Sequence, residues 1–202
     1  MPRVAGQIDL SKNEAILDAA IEVLSERGVS APMEEIARRA CVSKQTIYNH
    51  YGSRAELVRA LTERRVHDMT ASLGTPEGVA DPSQALAGFA RALLLKVLDA
   101  RGVTFLRMAM VGAQEAPEVG VAIYEAGPRA SRRALAEFLR VETLAGRLDC
   151  PDPLQAAEFF AGMAIGSLQT SALLGVERPI DEATIDAIAR EATARFMRAY
   201  AA

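Results

Sequence analysis

Residues 33–51 read MEEIARRACVSKQTIYNHY, and the order of polar and apolar side chains in them predicts two short helices joined by a tight turn. In the first, Met33, Ile36, Ala37 and Ala40 recur at helical spacing and form an inward face, while Arg38 and Arg39 stay in water. Ala40-Cys41-Val42 makes the turn. Ser43 is placed to cap the second helix, its hydroxyl accepting from a backbone N–H one turn on, and Val42 and Ile47 supply apolar anchors. Lys44, Gln45, Thr46, Tyr48, Asn49 and His50 are left facing out, a set with no acid in which nearly every side chain can donate a hydrogen bond. No Asp or Glu occurs from Ile36 to Ala55, and Arg38, Arg39, Lys44 and Arg54 all fall inside that stretch. A local positive surface of this kind is what a phosphate backbone selects for.

Around this stretch the chain is acidic. Its 202 residues carry 23 Lys and Arg against 26 Asp and Glu, a net charge of -3, so a protein that coats nucleic acid by bulk charge is excluded and any such contact must be local. Ten basic and ten acidic residues lie in 1–70, which leaves 13 and 16 for the remainder. The hydrophobic content of 50% is enough for a buried core. Cys41 and Cys150 stand far apart with no histidine cluster, which indicates neither a disulfide framework nor a zinc site and fits a reducing cytoplasm. The start, MPRVAGQIDL, lacks the apolar core of a signal peptide, and no run of about 20 uncharged apolar residues offers a membrane span. The expectation is a soluble, cytoplasmic protein without a membrane partner.

In chain order, Arg3 sits in a short mixed tail, available for a phosphate contact. Ser11-Lys12-Asn13-Glu14 has the S-x-x-E form of a capping box and is expected to start the first helix, whose buried face is Ile16, Ala19, Ala20, Val23 and Leu24 and whose stop is Gly28. Pro32 opens the second helix. After the helix at 43–51, Gly52 breaks the chain and Ser53-Arg54-Ala55-Glu56 forms another capping box, starting a helix that runs to about Ser72. Leu57 and Leu61 give it an apolar start; Arg64, Arg65 and His67 are too polar for the same core, so it must leave one domain and enter the next. A break follows at Gly74-Thr75-Pro76-Glu77-Gly78. Beyond it the punctuation is Asp-Pro or Gly with no β-alternating runs, so the chain is read as helical throughout, with helices near 82–100, 102–115, 117–126, 128–146, 153–174 and 182–200. Asp81-Pro82 and Asp152-Pro153 each offer an N-cap followed by Pro at the first helical position. Gly127-Pro128 either kinks one long helix or separates two.

The stretches AILDAAIEVLSERG and IARRACVSKQTIYNHYGSRAELV resemble the N-terminal domain of TetR-family (tetracycline-repressor-like) transcriptional regulators, over roughly Ser11 to Leu61. The likeness rests on an AA pair, a Gly after the first helix, an IA pair, a VS-x-x-T-I-Y run and a Y-x-S-R-x-x-L ending, all at family spacing. It implies an all-α fold: a three-helix helix-turn-helix DNA-binding domain at 1–52, a linking helix at 53–72, and a helical ligand-binding and dimerisation domain at 73–202. It also implies double-stranded operator DNA, a small-molecule effector and a second copy of the chain as partners, with no cofactor. The family's DNA-contacting helix falls on Ser43, Lys44, Gln45, Thr46, Tyr48, Asn49 and His50. Gln45 can bond an adenine edge, Lys44 can donate to guanine acceptors and Thr46 can touch a thymine methyl, while Tyr48 and His50 suit phosphates, as does Arg54 at a helix N-terminus. Two positions depart from the family pattern. Cys41 stands where Gly is usual, so either the turn is reshaped or a left-handed backbone is tolerated at a cost of about 1 kcal/mol. Pro32-Met33-Glu34-Glu35 replaces a Thr and a basic residue.

In the second part, Phe89, Leu93, Phe105, Met108, Tyr124, Phe159 and Met163, with Gln114 as an orienting polar group, are candidates to line the cavity that the resemblance implies; Met beside aromatic residues suits an apolar or aromatic molecule. Phe159, Met163, Ile165, Gly166, Thr170 and Leu173, with Ala187, Ile188, Ala194 and Met197 of the last helix, offer more apolar and small surface than one domain needs, and the resemblance makes this a four-helix dimer seam. An enzyme is disfavoured by two histidines in all, no Gly-rich phosphate loop and no nucleophile motif. His67 with Glu63 supplies too few ligands for a metal. The combined reading is a ligand-released, DNA-binding repressor; repression is the family's commoner habit, and the residues do not distinguish it from activation.

Overall fold

The computed structural model describes residues 10–75, 81–176 and 180–202. Arg3 and most of the expected break at 74–78 lie outside the described residues. The helices are α1 (Leu10–Arg27), α2 (Met33–Arg39), α3 (Lys44–Tyr51), α4 (Arg54–Thr70), α5 (Pro82–Leu98), α6 (Ala100–Gly112), α7 (Pro117–Tyr124), α8 (Ala130–Leu144), α9 (Pro153–Ile165), α10 (Leu168–Leu173) and α11 (Glu182–Tyr200). No strand occurs among the described residues, where pairing outside helices is limited to a single bridge between Leu148 and Ala201.

Local chemistry accounts for most boundaries. Asp81 and Asp152 cap α5 and α9, each carboxylate accepting a backbone N–H, with Pro at the first helical position. Ser53 accepts from the Glu56 N–H at 3.1 Å and starts α4. Helix α1 already includes Leu10, so Ser11 lies inside it rather than capping it, and Pro32 is the residue before α2 rather than its first.

One expectation changes and one alternative left open is decided. The helix expected over 153–174 is two helices, because Gly166 adopts φ 50 and ψ -129, a conformation that ends α9 and that a side chain would resist. At Pro128, where the sequence leaves a kink or a split open, helical structure continues through an irregular turn. Residues Glu125–Arg129 form a π-helical turn between α7 and α8. Proline has no N–H to give to a regular turn and its ring crowds the carbonyl four residues back, so the irregular turn falls where Pro128 stands.

Packing groups the chain into two compact units, Met1–Arg64 with Ala100–Gly127, and Arg65–Asp99 with Pro128–Ala202. The chain therefore passes from one to the other within α4, at the α5–α6 junction and within the π turn. In the first unit Ile16, Ala20 and Leu24 of α1 meet Met33 and Ile36 of α2, Ile47 of α3, and Leu57 and Leu61 of α4. Phe105 and Ala109 of α6 with Val119 and Ile123 of α7 complete that core, so residues 100–127 pack with the helix-turn-helix although they follow it far along the chain. The second unit is centred on Phe89, Phe160 and Phe196. Phe160 and Phe196 meet edge to face with centroids 5.1 Å apart, and Phe196 stacks on Tyr200 at 4.5 Å. Its buried Glu142 accepts from Nε and Nη2 of Arg147, at 2.6 and 2.9 Å.

Candidate nucleic-acid interface

The turn before α3 is a closed motif. Ala40 ends α2, Cys41 takes φ 54, the Cys41 N–H bonds the Arg38 carbonyl at 3.3 Å and the Val42 N–H bonds the Ala37 carbonyl at 3.0 Å. These are the two bonds of a Schellman ending, which needs a left-handed residue where Cys41 stands. The backbone therefore keeps its shape and Cys41, exposed and free, carries the strain.

Helix α3 is fixed at three points. Ser43 caps it, its Oγ accepting from the Thr46 N–H at 3.0 Å. Ile47 is fully buried in the first core. At the far end Tyr51 is buried and its hydroxyl donates to Asn13 Oδ1 on α1; burial pushes the phenol up to about 12. The 3.6-residue period then leaves Lys44, Gln45, Tyr48, Asn49 and His50 exposed together, with Thr46 half-buried beside the cap. Gln45 Nε2 donates to Asn49 Oδ1 at 2.6 Å, one helical turn on. Gln45 keeps its carbonyl and a second N–H, the two groups an adenine edge requires.

The charge on this surface differs from the expectation of a bare positive patch, because every cation of the acid-free stretch has a partner folded in from outside it. Arg39 lies against Glu26 through two bonds of 2.7 and 2.9 Å and is 3.6 Å from Glu22. Arg38 reaches Glu35, which Arg27 also contacts at 2.7 Å. Lys44 pairs with Glu34, and its ammonium lies 5.6 Å from the centroid of the Tyr48 ring. The hydrogen bond from Lys44 holds the Glu34 carboxyl below its ordinary value, and Glu34 raises the ammonium. Arg54 is half-buried and donates to the Val29 carbonyl at 2.5 Å, which makes it a brace between α4 and the turn after α1 as well as a cation near α3. Spacing within the stretch could not reveal these partners, which lie ten or more residues away, except for Glu35, whose i,i+3 relation to Arg38 was legible.

The candidate effector residues are not gathered in one place. Phe89 and Leu93 are buried in the second core, and Phe105 in the first. Met108 is half-buried, its methyl 3.2 Å from where a Cβ on Gly28 would stand. Gln114 and Tyr124 are exposed. Phe159 and Met163 are 56% and 40% exposed and share one face of α9, where Met163 borders a shallow groove along α11 lined by Thr184, Ala187, Ile188 and Glu191. Among the described residues no three His, Cys, Asp or Glu side chains are grouped so as to hold a metal ion, and no helix is long and apolar enough to cross a membrane.

Residues 16–61 match the family model for bacterial regulatory proteins of the tetR family, and residues 84–202 match that of the AefR-like transcriptional repressor C-terminal domain. The chain belongs to the TetR family. Among relatives of this TetR-family regulator, the HTH-type transcriptional regulator SrpR of Pseudomonas putida is 38% identical over 66 residues, 30% of this chain and 31% of that protein. The HTH-type transcriptional activator FasR of Mycolicibacterium smegmatis is 42% identical over 59 residues, 29% of this chain and 27% of its own length. The chain thus spans under a third of the length of these two curated relatives. The solved structure of the flavonoid-responsive regulator FrrA is similar along the whole chain, with 31% identity, a TM-score of 0.70 and coverage of 94% of this chain and 97% of that one. The protein is a transcriptional regulator of the DNA-binding, all-α TetR type.

Proposed function

We propose that the protein is a homodimeric, cytoplasmic repressor that holds a palindromic duplex through α3 of each subunit and releases it on binding a small apolar or aromatic effector. The observation that carries this reading is the outer face of α3: a helix fixed by Ser43, Ile47 and Tyr51 presents Lys44, Gln45, Tyr48, Asn49 and His50 side by side with no acid among them. Residues 1–52 contact DNA in this scheme, 53–72 link, and 73–202 take the effector and the second subunit. Ser43 and Thr46 hold the start of α3 against the backbone, Lys44, Gln45 and Asn49 reach bases, and Tyr48, His50 and Arg54 reach phosphates.

Repression is favoured because the match to the AefR-like repressor covers 84–202, whereas the likeness to an activator is confined to a stretch of 59 residues. A helix-turn-helix does not encode the sign of regulation. The aromatic character of the effector is supported by Phe and Met content and by the flavonoid-responsive relative. Phe89 and Leu93 remain candidate lining residues; Phe159 and Met163, exposed on α9, fit the subunit seam better. Effector and operator compete through a coupling of typically about 1–3 kcal/mol, so operator must weaken effector binding by the same factor. Helix α4 is the expected carrier, with exposed His67 on it, and residues 100–127 offer a second route because they pack with the helix-turn-helix.

The test is selection of duplexes from a random-sequence pool by the intact chain. A palindromic consensus with half-sites roughly 34–36 Å apart is expected. Gln45→Ala should change preference at one base pair by about 1–3 kcal/mol. Failure to enrich any duplex would sink the reading.

A further inference from the structure

Glu34 stands on the proposed DNA-reading face without a role in it. It is the second residue of α2, its side chain is 62% exposed, and it pairs with Lys44, the first residue of α3, which is 48% exposed. The carboxylate therefore engages a cation assigned to DNA, on a surface where Arg38 and Arg39 are likewise matched by acids.

We propose that Glu34 is a specificity-determining residue that suppresses sequence-independent binding by occupying Lys44. This rests on the DNA-reading role of α3 given above. A phosphodiester brings a second negative charge to the Lys44 ammonium, so whether Lys44 keeps Glu34 or leaves it, two anions are set side by side around one cation. A guanine edge is different. Its O6 and N7 are neutral acceptors, and an ammonium has three N–H groups, so Lys44 can keep one on Glu34 and give two to the base. Engagement of any phosphate is penalised while engagement of the right base is not. The Tyr48 ring beside the ammonium restricts Lys44 further, holding its charge at the start of α3. This is discrimination by weakening the wrong complex.

The experiment compares a duplex enriched by the unmodified chain from a random-sequence pool with the unselected pool itself, over a range of salt. Glu34→Gln should bind the unselected pool about three- to tenfold tighter, with a salt slope steeper by about one, while affinity for the enriched duplex changes less than about threefold. In a Lys44→Met background the same change should have no such effect. Glu118→Gln, an exposed acid on α7, controls for net charge. Circular dichroism and melting confirm that the variants fold. Equal tightening on both DNAs, or equal tightening by Glu118→Gln, overturns the proposal, as does selective loss on the enriched duplex, which would make Glu34 itself a reader of cytosine. If the unmodified chain enriches a duplex that Lys44→Met loses, yet Glu34→Gln keeps full discrimination, only the role of Glu34 fails. If the unmodified chain enriches nothing, the DNA reading fails and this proposal with it.

Discussion

Arg54 donates to the main-chain carbonyl of Val29 at 2.5 Å, so the first turn of α4 is tied to the turn that joins α1 and α2. A charged donor on a part-buried carbonyl contributes about 1–2 kcal/mol. Arg54→Ala should lower stability by that amount in urea unfolding without DNA present. An unchanged midpoint would mean that the guanidinium is free in solution and available wholly for phosphate.

The Val29 side chain is also closely approached by the end of α6. A Cβ on Gly112 would stand 2.5 Å from Val29 Cγ2, well inside contact distance. Gly112→Ala should therefore destabilise the first unit by about 1–3 kcal/mol, and Val29→Ala in the same chain should recover part of the loss by opening room. Additive losses in the double variant would argue that the two residues do not touch.

At Cys41 the left-handed backbone carries a side chain. Replacing it by Gly relieves about 1 kcal/mol of strain, offset in part by the greater freedom of Gly in the unfolded chain. Cys41→Gly should raise the melting temperature slightly and leave DNA affinity unchanged, since the thiol is exposed and free. A fall in stability would show that the Schellman turn is not retained in solution.

The helix-turn-helix was legible because its determinants are local: Ser43 caps within three residues, Met33, Ile36, Ala37 and Ala40 recur at helical spacing as do Leu57 and Leu61, and the motif fixes the turn. The interruption at Gly166 was harder, since a Gly in a helical pattern is tolerated as often as it breaks one, and its positive φ is set by packing around it. The Glu34–Lys44 and Glu26–Arg39 pairs join residues from different helices, so the acid-free run read as positive when its charge is largely met by neighbours in space. Residues 100–127 were assigned by chain order to the C-terminal segment; that α6 lies on α1 through Phe105 and Ala109 depends on tertiary packing that no local period reports.

Tyr51 makes a prediction in alkali. Burial raises its phenol to about 12, while the unfolded chain releases that proton near 10. Above pH 10 the unfolded state therefore binds fewer protons than the folded one, and stability present below that pH should fall as the pH rises towards 12. The phenolate also loses its bond to Asn13. Tyr51→Phe should remove this part of the alkaline loss, and a spectrophotometric titration should lack one late-ionising tyrosine. The same alkaline profile in both chains would assign the loss elsewhere.

The last prediction concerns the second copy of the chain. On α9, Phe159 and Met163 lie one turn apart and exposed, Leu154 is 52% exposed on the same helix, and Leu174 after α10 is 74% exposed. Ala187 and Ile188 on α11 border the groove that Met163 flanks, and small residues there permit close helix contact. Left in water, Phe159 alone forgoes roughly 1.5–3 kcal/mol of burial, so a symmetric seam that covers it in both subunits has a strong apolar contribution. Phe159→Glu should then place two like charges across the two-fold axis in a desolvated seam and yield monomers in sedimentation equilibrium at micromolar concentration, where the unmodified chain should be a dimer. Because a palindrome needs two α3 helices held together, that variant should also lose cooperative binding to the enriched duplex while keeping its helical spectrum. An unmodified chain that sediments as a monomer would discard the dimer, and a Phe159→Glu variant that remains dimeric would move the seam off α9.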